Sequence, residues 1–268
     1  MPMRRLSLLL LLASPALAFA QQTTDRVGSS IEPRGDSWTF GVGAAVRDSP
    51  YAGEGTRIRP FPLVAWQGER FFWQGLTGGM HVVKGERFTF DVLLAGRFDG
   101  VDIKDLGRRE LAANGIDATL LSDRHDAADA GVAATWRGAA GSLRLRALAD
   151  ITGTSEGYEL SADYGYPIQA GRTRLVPGVG VRLLSEDMAD YYYGTLDREV
   201  ARGVRAYRPG AVLIPQASLD VMRPLFGAWT AFGALEYQFL PDEIADSPLI
   251  QADTDGAARL MIGISRRF

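Results

Sequence analysis

The chain of 268 residues contains no cysteine and only two histidines. Without thiols there is no disulfide framework, no thiolate metal site and no lipid anchor of the lipoprotein kind. Beyond the amino-terminal region, no segment approaches the ~18 consecutive apolar residues of a membrane helix. Basic blocks are missing as well: the formal charge is −3, an acidic balance that argues against nucleic acid as a partner. There is no phosphate-binding loop and no HExxH motif, so neither a cofactor nor a metal is expected.

What is present begins with an export signal. Arg4 and Arg5 precede a short apolar run at residues 6–12, Pro15 breaks it, and Ala18-Phe19-Ala20 forms a small-x-small cleavage site. This reads as a signal peptide over residues 1–20, with Gln21 as the mature amino terminus. Residues 21–36 read as a flexible periplasmic segment, and residues 37–268 as a single β domain.

Within that domain, dyad alternation recurs. Trp38, Phe40, Val42, Ala44 and Val46 alternate with Thr39, Gly41, Gly43, Ala45 and Arg47. The closing segment does the same: Leu260, Ile262, Ile264 and Phe268 share one parity, Arg259, Met261, Gly263 and Ser265 the other. A strand has period two, so each such segment has one apolar and one polar face. Short connections near residues 68–69, 84–86, 138–141, 170–171 and 223–227 alternate with longer ones near 48–59, 100–128, 185–206 and 241–255. Short turns at one end and long loops at the other, with an apolar outer face, are the pattern of a transmembrane up-and-down barrel. About 12 antiparallel strands are expected, which places both termini in the periplasm. The segment 71–83 is ambiguous; a split at residues 75–79 gives two strands, and a bulge would give one. Aromatic residues near strand ends, among them Trp38, Trp66, Trp73, Trp229 and Phe239, are expected to mark the membrane edges.

The inward parity carries both signs. Arg47, Asp91, Arg144, Arg146, Glu159, Asp163, Arg174, Arg182, Glu236 and Arg259 are the expected lumen-lining charges. Charges there persist only when paired or hydrated, so they either cross-link a narrow lumen or line a small water path. A largely plugged lumen is the favoured reading. In the loops, Tyr51, Tyr191, Tyr192 and Tyr193 form a candidate interaction patch, with inward packing over the barrel mouth as the alternative. His125 stands near Ser122, Asp123, Asp126 and Asp129, which reads as a solvated acidic loop rather than a catalytic or divalent-ion site. No enzymatic activity is expected.

Three segments resemble one family. They are Gly41-Val42-Gly43 with Ser49-Pro50-Tyr51-Ala52-Gly53 and Pro60-Phe61-Pro62-Leu63; then Asp190-Tyr191-Tyr192-Tyr193-Gly194 with Tyr207-Arg208-Pro209-Gly210; and finally residues 240–249 ahead of the last strand. In this order they resemble the MipA/OmpV family of outer-membrane proteins, the MltA-interacting or scaffolding family. The resemblance implies an outer-membrane barrel in contact with membrane lipid, with Phe268 as the carboxyl-terminal signal for the barrel assembly machinery. It also implies scaffolding of a lytic transglycosylase and a peptidoglycan synthase, while other members are linked to adhesion, osmotic response or antibiotic susceptibility. A small-solute channel or uptake protein is the alternative. Arg266 departs from the pattern, because outer-membrane strands carry an aromatic or aliphatic residue two before the terminal Phe.

Overall fold

A computed structural model describes residues 37–268; the signal peptide and the segment 21–36 lie outside the described residues. One antiparallel sheet contains β1 (Ser37–Asp48), β2 (Thr56–Gln67), β3 (Phe71–Gln74), β4 (Thr77–Lys84), β5 (Phe88–Arg97), β6 (Ala127–Gly138) and β7 (Gly141–Asp150). It continues through β8 (Tyr158–Gly165), β9 (Ile168–Ala170), β10 (Thr173–Leu184), β11 (Val212–Pro224), β12 (Trp229–Phe239) and β13 (Gly256–Arg267). β13 pairs with β1, and β10 with β11, so the sheet closes on itself. β8 and β9 both pair with β10 on either side of Tyr166-Pro167. They are one bent stave, and the wall is a twelve-stave barrel.

Burial alternates as a closed wall requires. On β5, Thr89, Asp91, Leu93, Ala95 and Arg97 are buried while Val92 and Leu94 are exposed. Exposed apolar residues of this parity recur around the ring, among them Val42, Ile58, Leu145, Val179, Leu219 and Ile262. So extensive an apolar exterior is a lipid-facing surface, not a water-facing one. The exposed aromatics gather at the short-turn end: Trp38, Phe40, Phe71, Trp73, Trp136, Tyr164, Tyr166, Phe226 and Phe268. Trp38 stacks between Phe40 and Trp66, and Phe40 meets Phe268 edge-on. Among the described residues, only Tyr158 and Phe239 are comparably exposed aromatics at the other end. The belt is therefore strongly one-sided.

Arg266 belongs to this belt. Its guanidinium lies 4.8 Å from the Phe268 ring centroid and 5.9 Å from that of Trp229, where a cation on aromatic faces at the headgroup level is well accommodated.

Inside the barrel, four neighbouring staves carry Phe61, Gly43, Gly263 and Phe232 at one level. A Cβ on Gly43 would stand 2.7 Å from Phe61 Cζ, and one on Gly263 would stand 2.4 Å from Phe232 Cζ. The glycines leave room for the two rings, which fill the interior with Leu63, Ala234 and Met261. This gives the Gly41-Val42-Gly43 and Pro60-Phe61-Pro62 segments a joint packing role.

The segment 71–83 is two strands. Their turn is Gly75-Leu76, with Gly75 at φ +59°, a left-handed conformation that glycine adopts without strain. The Gly78-Gly79 pair lies within β4 instead. A Cβ on Gly79 would come within 2.4 Å of Phe72 Cζ, so that glycine serves packing, not turning.

Candidate functional site

The long connections do not stand free in solvent. They include α1 (Arg108–Ala113), α2 (Glu186–Tyr193), α3 (Asp197–Val200) and α4 (Asp242–Ala245). Leu106, Leu111, Ile116, Leu121, Met188, Tyr192, Val204, Ile244, Leu249 and Ile250 are buried together with Leu184, Val212 and Leu240 at the stave ends. The loops thus build their own apolar core across the barrel mouth. Ser185 caps α2, its hydroxyl accepting from Met188 N at 3.4 Å, and Glu186 and Asp187 follow in the first turn; both features favour a helix start here.

Polar ties hold the layer together. Asn114 Nδ2 donates to the carbonyls of Pro248 and Ile250 at 3.1 and 2.8 Å. Tyr207 hydroxyl donates to Glu243 O at 2.9 Å, and Ser247 hydroxyl to Tyr193 O at 2.5 Å. The Arg124 guanidinium, 1% exposed at its side chain, meets the fully buried Glu199 carboxylate through Nη1 at 2.7 Å and Nη2 at 3.0 Å. The same carboxylate accepts from Ser122 N and Leu196 N, both at 2.8 Å, and Arg124 also donates to Tyr191 O and Gly194 O. One ion pair therefore pins two loops that are 75 residues apart.

The tyrosines of the candidate patch sit in this layer. Tyr51 stacks on Tyr193 with centroids 6.0 Å apart, and its hydroxyl donates to Tyr192 O at 3.0 Å. Tyr51, Tyr192 and Tyr193 are buried; Tyr191 is half-buried, its hydroxyl accepting from His125 N at 2.9 Å. Burial pushes the Tyr51, Tyr192 and Tyr193 phenols up from their ordinary values. They stay neutral and act as donors and packing surfaces.

Beneath the layer lies a charge cluster contributed by five staves. Arg97 reaches Asp129 at 2.6 Å and Glu159 at 3.0 Å; Arg182 reaches Glu159 at 2.8 Å; Asp99 stands 3.2 Å from Arg97. Arg146 lies 3.9 Å from Glu159 and donates to Ser161 Oγ. Three guanidinium groups face three carboxylates, so the cluster is balanced and fastens β5, β6, β7, β8 and β10 to one another. The dyad reading places Arg97 among the inward charges; Asp99 and Asp129 are the members it does not include. Period places a side chain on the inner face but does not choose its partner, so it carries no signal for a contact such as that of Arg97 with Glu159, 62 residues away.

The other inward charges lie outside this cluster. Asp163 accepts from Gln216 Nε2 at 2.7 Å and stands opposite Arg144 in register. Glu236 is opposite Arg259, and Arg259 opposite Arg47. Arg174 is exposed, opposite Met222 near the short turns. Asp91 accepts from His81 Nδ1 at 2.5 Å, while Gln67 Nε2 approaches His81 Nε2 at 2.6 Å. This row has no nucleophile: His81 stacks on Phe72 at 4.8 Å.

One hydrolase-like spacing occurs, at Gly153-Thr154-Ser155-Glu156-Gly157. It joins two strands, and a nucleophile elbow needs a strand-to-helix turn. The positive φ falls on Glu156, and the Ser155 hydroxyl donates to Asp150 at 3.1 Å. It is a loop tie. Around His125, Asp129 is engaged by Arg97 and Asp126 accepts from Gly100 N. Among the described residues, no cluster of three or more His, Cys, Asp or Glu side chains is placed to hold a metal.

Comparison with known proteins places the chain. A family model described as MltA-interacting protein MipA matches residues 40–268. The chain is 29% identical to the putative outer membrane protein YiaT of Escherichia coli (strain K12) over 234 residues, covering 86% of this chain and 90% of that one. It is 27% identical to the MltA-interacting protein of the same strain over 232 residues, again 86% and 90% of the two chains. Among solved structures, the translocator domain of the autotransporter NalP from Neisseria meningitidis has a TM-score of 0.49 at 10% identity, covering 92% of this chain and 94% of that one. With nearly the whole barrel matched, the chain belongs to the MipA family and is an outer-membrane β-barrel protein.

Proposed function

We propose that the protein is a non-enzymatic scaffold of the cell envelope, with its closed mouth outward and its short turns, both chain ends and residues 21–36 in the periplasm. The observation that carries this reading is the apolar loop layer across the mouth, which makes the barrel a capped platform. An even number of staves puts both ends on the short-turn side, and short turns face the periplasm in barrels of this kind. The name MltA-interacting protein, borne by a relative at 27% identity, supports a peptidoglycan lytic enzyme as partner. A peptidoglycan synthase completes the proposed assembly. Phe268, whose N–H donates to Trp38 O at 2.8 Å, closes the seam and serves as the assembly signal. Crosslinking in intact cells from reactive groups on turns 68–70 and 85–87 should enrich murein enzymes; a crosslinked set without any of them would sink the reading.

The mixed charges of the interior favour a second reading, a small-solute channel. Planar-bilayer recording separates the two. The scaffold reading expects no steady conductance from the intact protein and its appearance after residues 186–211 are replaced by a short turn. Steady conductance of the intact barrel would favour the channel.

A further inference from the structure

The surface charges of the barrel are sorted along its axis. On a chain whose formal net charge is −3, the short-turn end is basic. Arg70 lies in the turn from β2 to β3, Lys84 and Arg87 bracket the turn from β4 to β5, and Arg172 closes the turn ahead of β10. Arg223 stands near the end of β11 and Arg266 near the end of β13; all six are exposed. Among the described residues, Glu69 and Glu86 are the only acidic side chains in the turns of this end. The loop end has the opposite sign. Its last connection carries Asp242, Glu243, Asp246, Asp253 and Asp255 without one Lys or Arg.

The protein leaves the charge of this rim uncompensated. Lys84 Nζ donates to Gly68 O at 2.8 Å and Arg172 Nη2 to Leu225 O at 3.2 Å. These are contacts with neutral carbonyls, which hold a cation in place without cancelling it. Arg266 lies over the rings of Phe268 and Trp229. Among the described residues, no ion pair joins any of the six to a carboxylate.

The aromatic belt fixes their height. Arg70 precedes exposed Phe71, and Arg223 and Arg266 closely precede exposed Phe226 and Phe268. Parity turns two of them outward: Arg223 continues the exposed face of Leu219, and Arg266 that of Ile262 and Ile264. Rings in such a belt sit at the headgroup level, and long cationic side chains beside them carry their heads to the same polar layer. The cations also come from opposite sides of the ring, the β2–β3 turn facing the β9–β10 turn across it, and from the seam.

We propose that this rim binds the headgroups of anionic phospholipids in the leaflet it touches. Cations at headgroup level, spread round the ring and uncompensated from within, match an annulus of lipid; a protein or glycan partner would need the charge gathered on one face. The chemistry selected is a headgroup of net negative charge, against the zwitterionic headgroups of the same leaflet. That this leaflet is the periplasmic one rests on the orientation proposed above. Lipid selection in vesicles is read without that orientation, so the two readings fail separately.

The test reconstitutes the intact protein in phosphatidylcholine vesicles with a trace of spin-labelled phosphatidylglycerol or spin-labelled phosphatidylcholine. The motionally restricted fraction of each label gives its association constant at the protein surface. One opposite charge at ~4 Å in water contributes ~1 kcal/mol, which is about fivefold in association. Averaged with an indifferent leaflet at the loop end, the wild type should favour phosphatidylglycerol about threefold. Arg70→Gln, Arg87→Gln, Arg223→Gln and Arg266→Gln combined should remove most of that preference, as should ~1 M salt, where the Debye length is ~3 Å. An equal loss of charge at the loop end, through Arg108→Gln, Arg109→Gln, Arg198→Gln and Arg205→Gln, should leave it unchanged. A wild-type ratio near one overturns the inference and leaves the rim to a polyanionic partner such as murein. An equal drop in the loop-end variant overturns it too, because selection would then follow net charge and not the rim.

Discussion

Glu199→Gln should loosen the loops over the barrel mouth without unfolding the barrel. Glu199 receives two guanidinium N–H groups and two backbone N–H groups, all between 2.7 and 3.0 Å, at a site closed to solvent. Removing one charge of such a pair strands the other, which costs roughly 3–5 kcal/mol. The amide retains one acceptor, so the lower end applies, and ~3 kcal/mol raises the open fraction of the layer about a hundredfold. Hydrogen exchange read by mass spectrometry should then show peptides around Ser122 and Leu196 exchanging faster by about that factor, provided they exchange through local opening, with stave peptides unchanged. Arg124→Met combined with Glu199→Leu should restore protection only in part, because it removes the stranded charge but leaves Ser122 N–H and Leu196 N–H without their acceptor. Unaltered exchange in Glu199→Gln, or loss of stave protection as well, would refute the view of the pair as a local pin. The pH dependence has a definite sign. Burial alone would push the Glu199 carboxyl up, but Arg124 and the backbone donors outweigh it and hold the group below its ordinary value. Its contribution is thus fully present above the unfolded pKa of ~4.3 and fades as the pH falls below it. Exchange at Ser122 should accelerate only in acid.

Other outcomes follow from packing and backbone parity. Gly43→Val sets a Cβ 2.7 Å from both Phe61 Cζ and Ile262 O, so urea unfolding followed by gel mobility should show a loss of about 1–3 kcal/mol. Gly138→Ala, which meets nothing within 4 Å, should be neutral in the same assay. Pro60→Ala with Pro62→Ala restores two N–H groups on the side of β2 that β3 does not reach, and a loss of about 1–3 kcal/mol for each is expected; no change would mean that these groups find partners there. Arg266→Ala should cost under ~1 kcal/mol, since its ring contacts are exposed. Removal of Phe268 should lower the amount of assembled barrel in outer-membrane fractions, and an undiminished amount would deny it the signalling role.

The staves were legible because a lipid-facing wall enforces period two on every residue, and Val42 or Ile262 cannot trade faces with Gly43 or Met261 without burying the wrong set. The loop layer was half legible. Leu106, Leu111, Ile116 and Leu121 are apolar at intervals too wide for a helix stripe, and they acquire meaning only once three other connections supply partners. Partners within the charge cluster were hidden for the same reason: Arg97 and Glu159 are 62 residues apart and meet across the lumen. The β3–β4 hairpin is the instructive case. Gly78-Gly79 carries a stronger turn signature than Gly75-Leu76, yet the pair lies in a strand because Phe72 occupies the space a Cβ would take. The split at residues 75–79 thus marks the hairpin without fixing its turn, while a consequence of its shortness is visible one strand earlier. Two prolines at alternate positions delete donors on one side of a strand, and in a fully paired wall each deletion would forfeit a ladder bond. Pro60 and Pro62 forfeit none because β3 ends before reaching them. Prolines spaced by two in a lipid-facing strand thus read as the mark of an edge, and the missing neighbour can be sought from the sequence on that side alone.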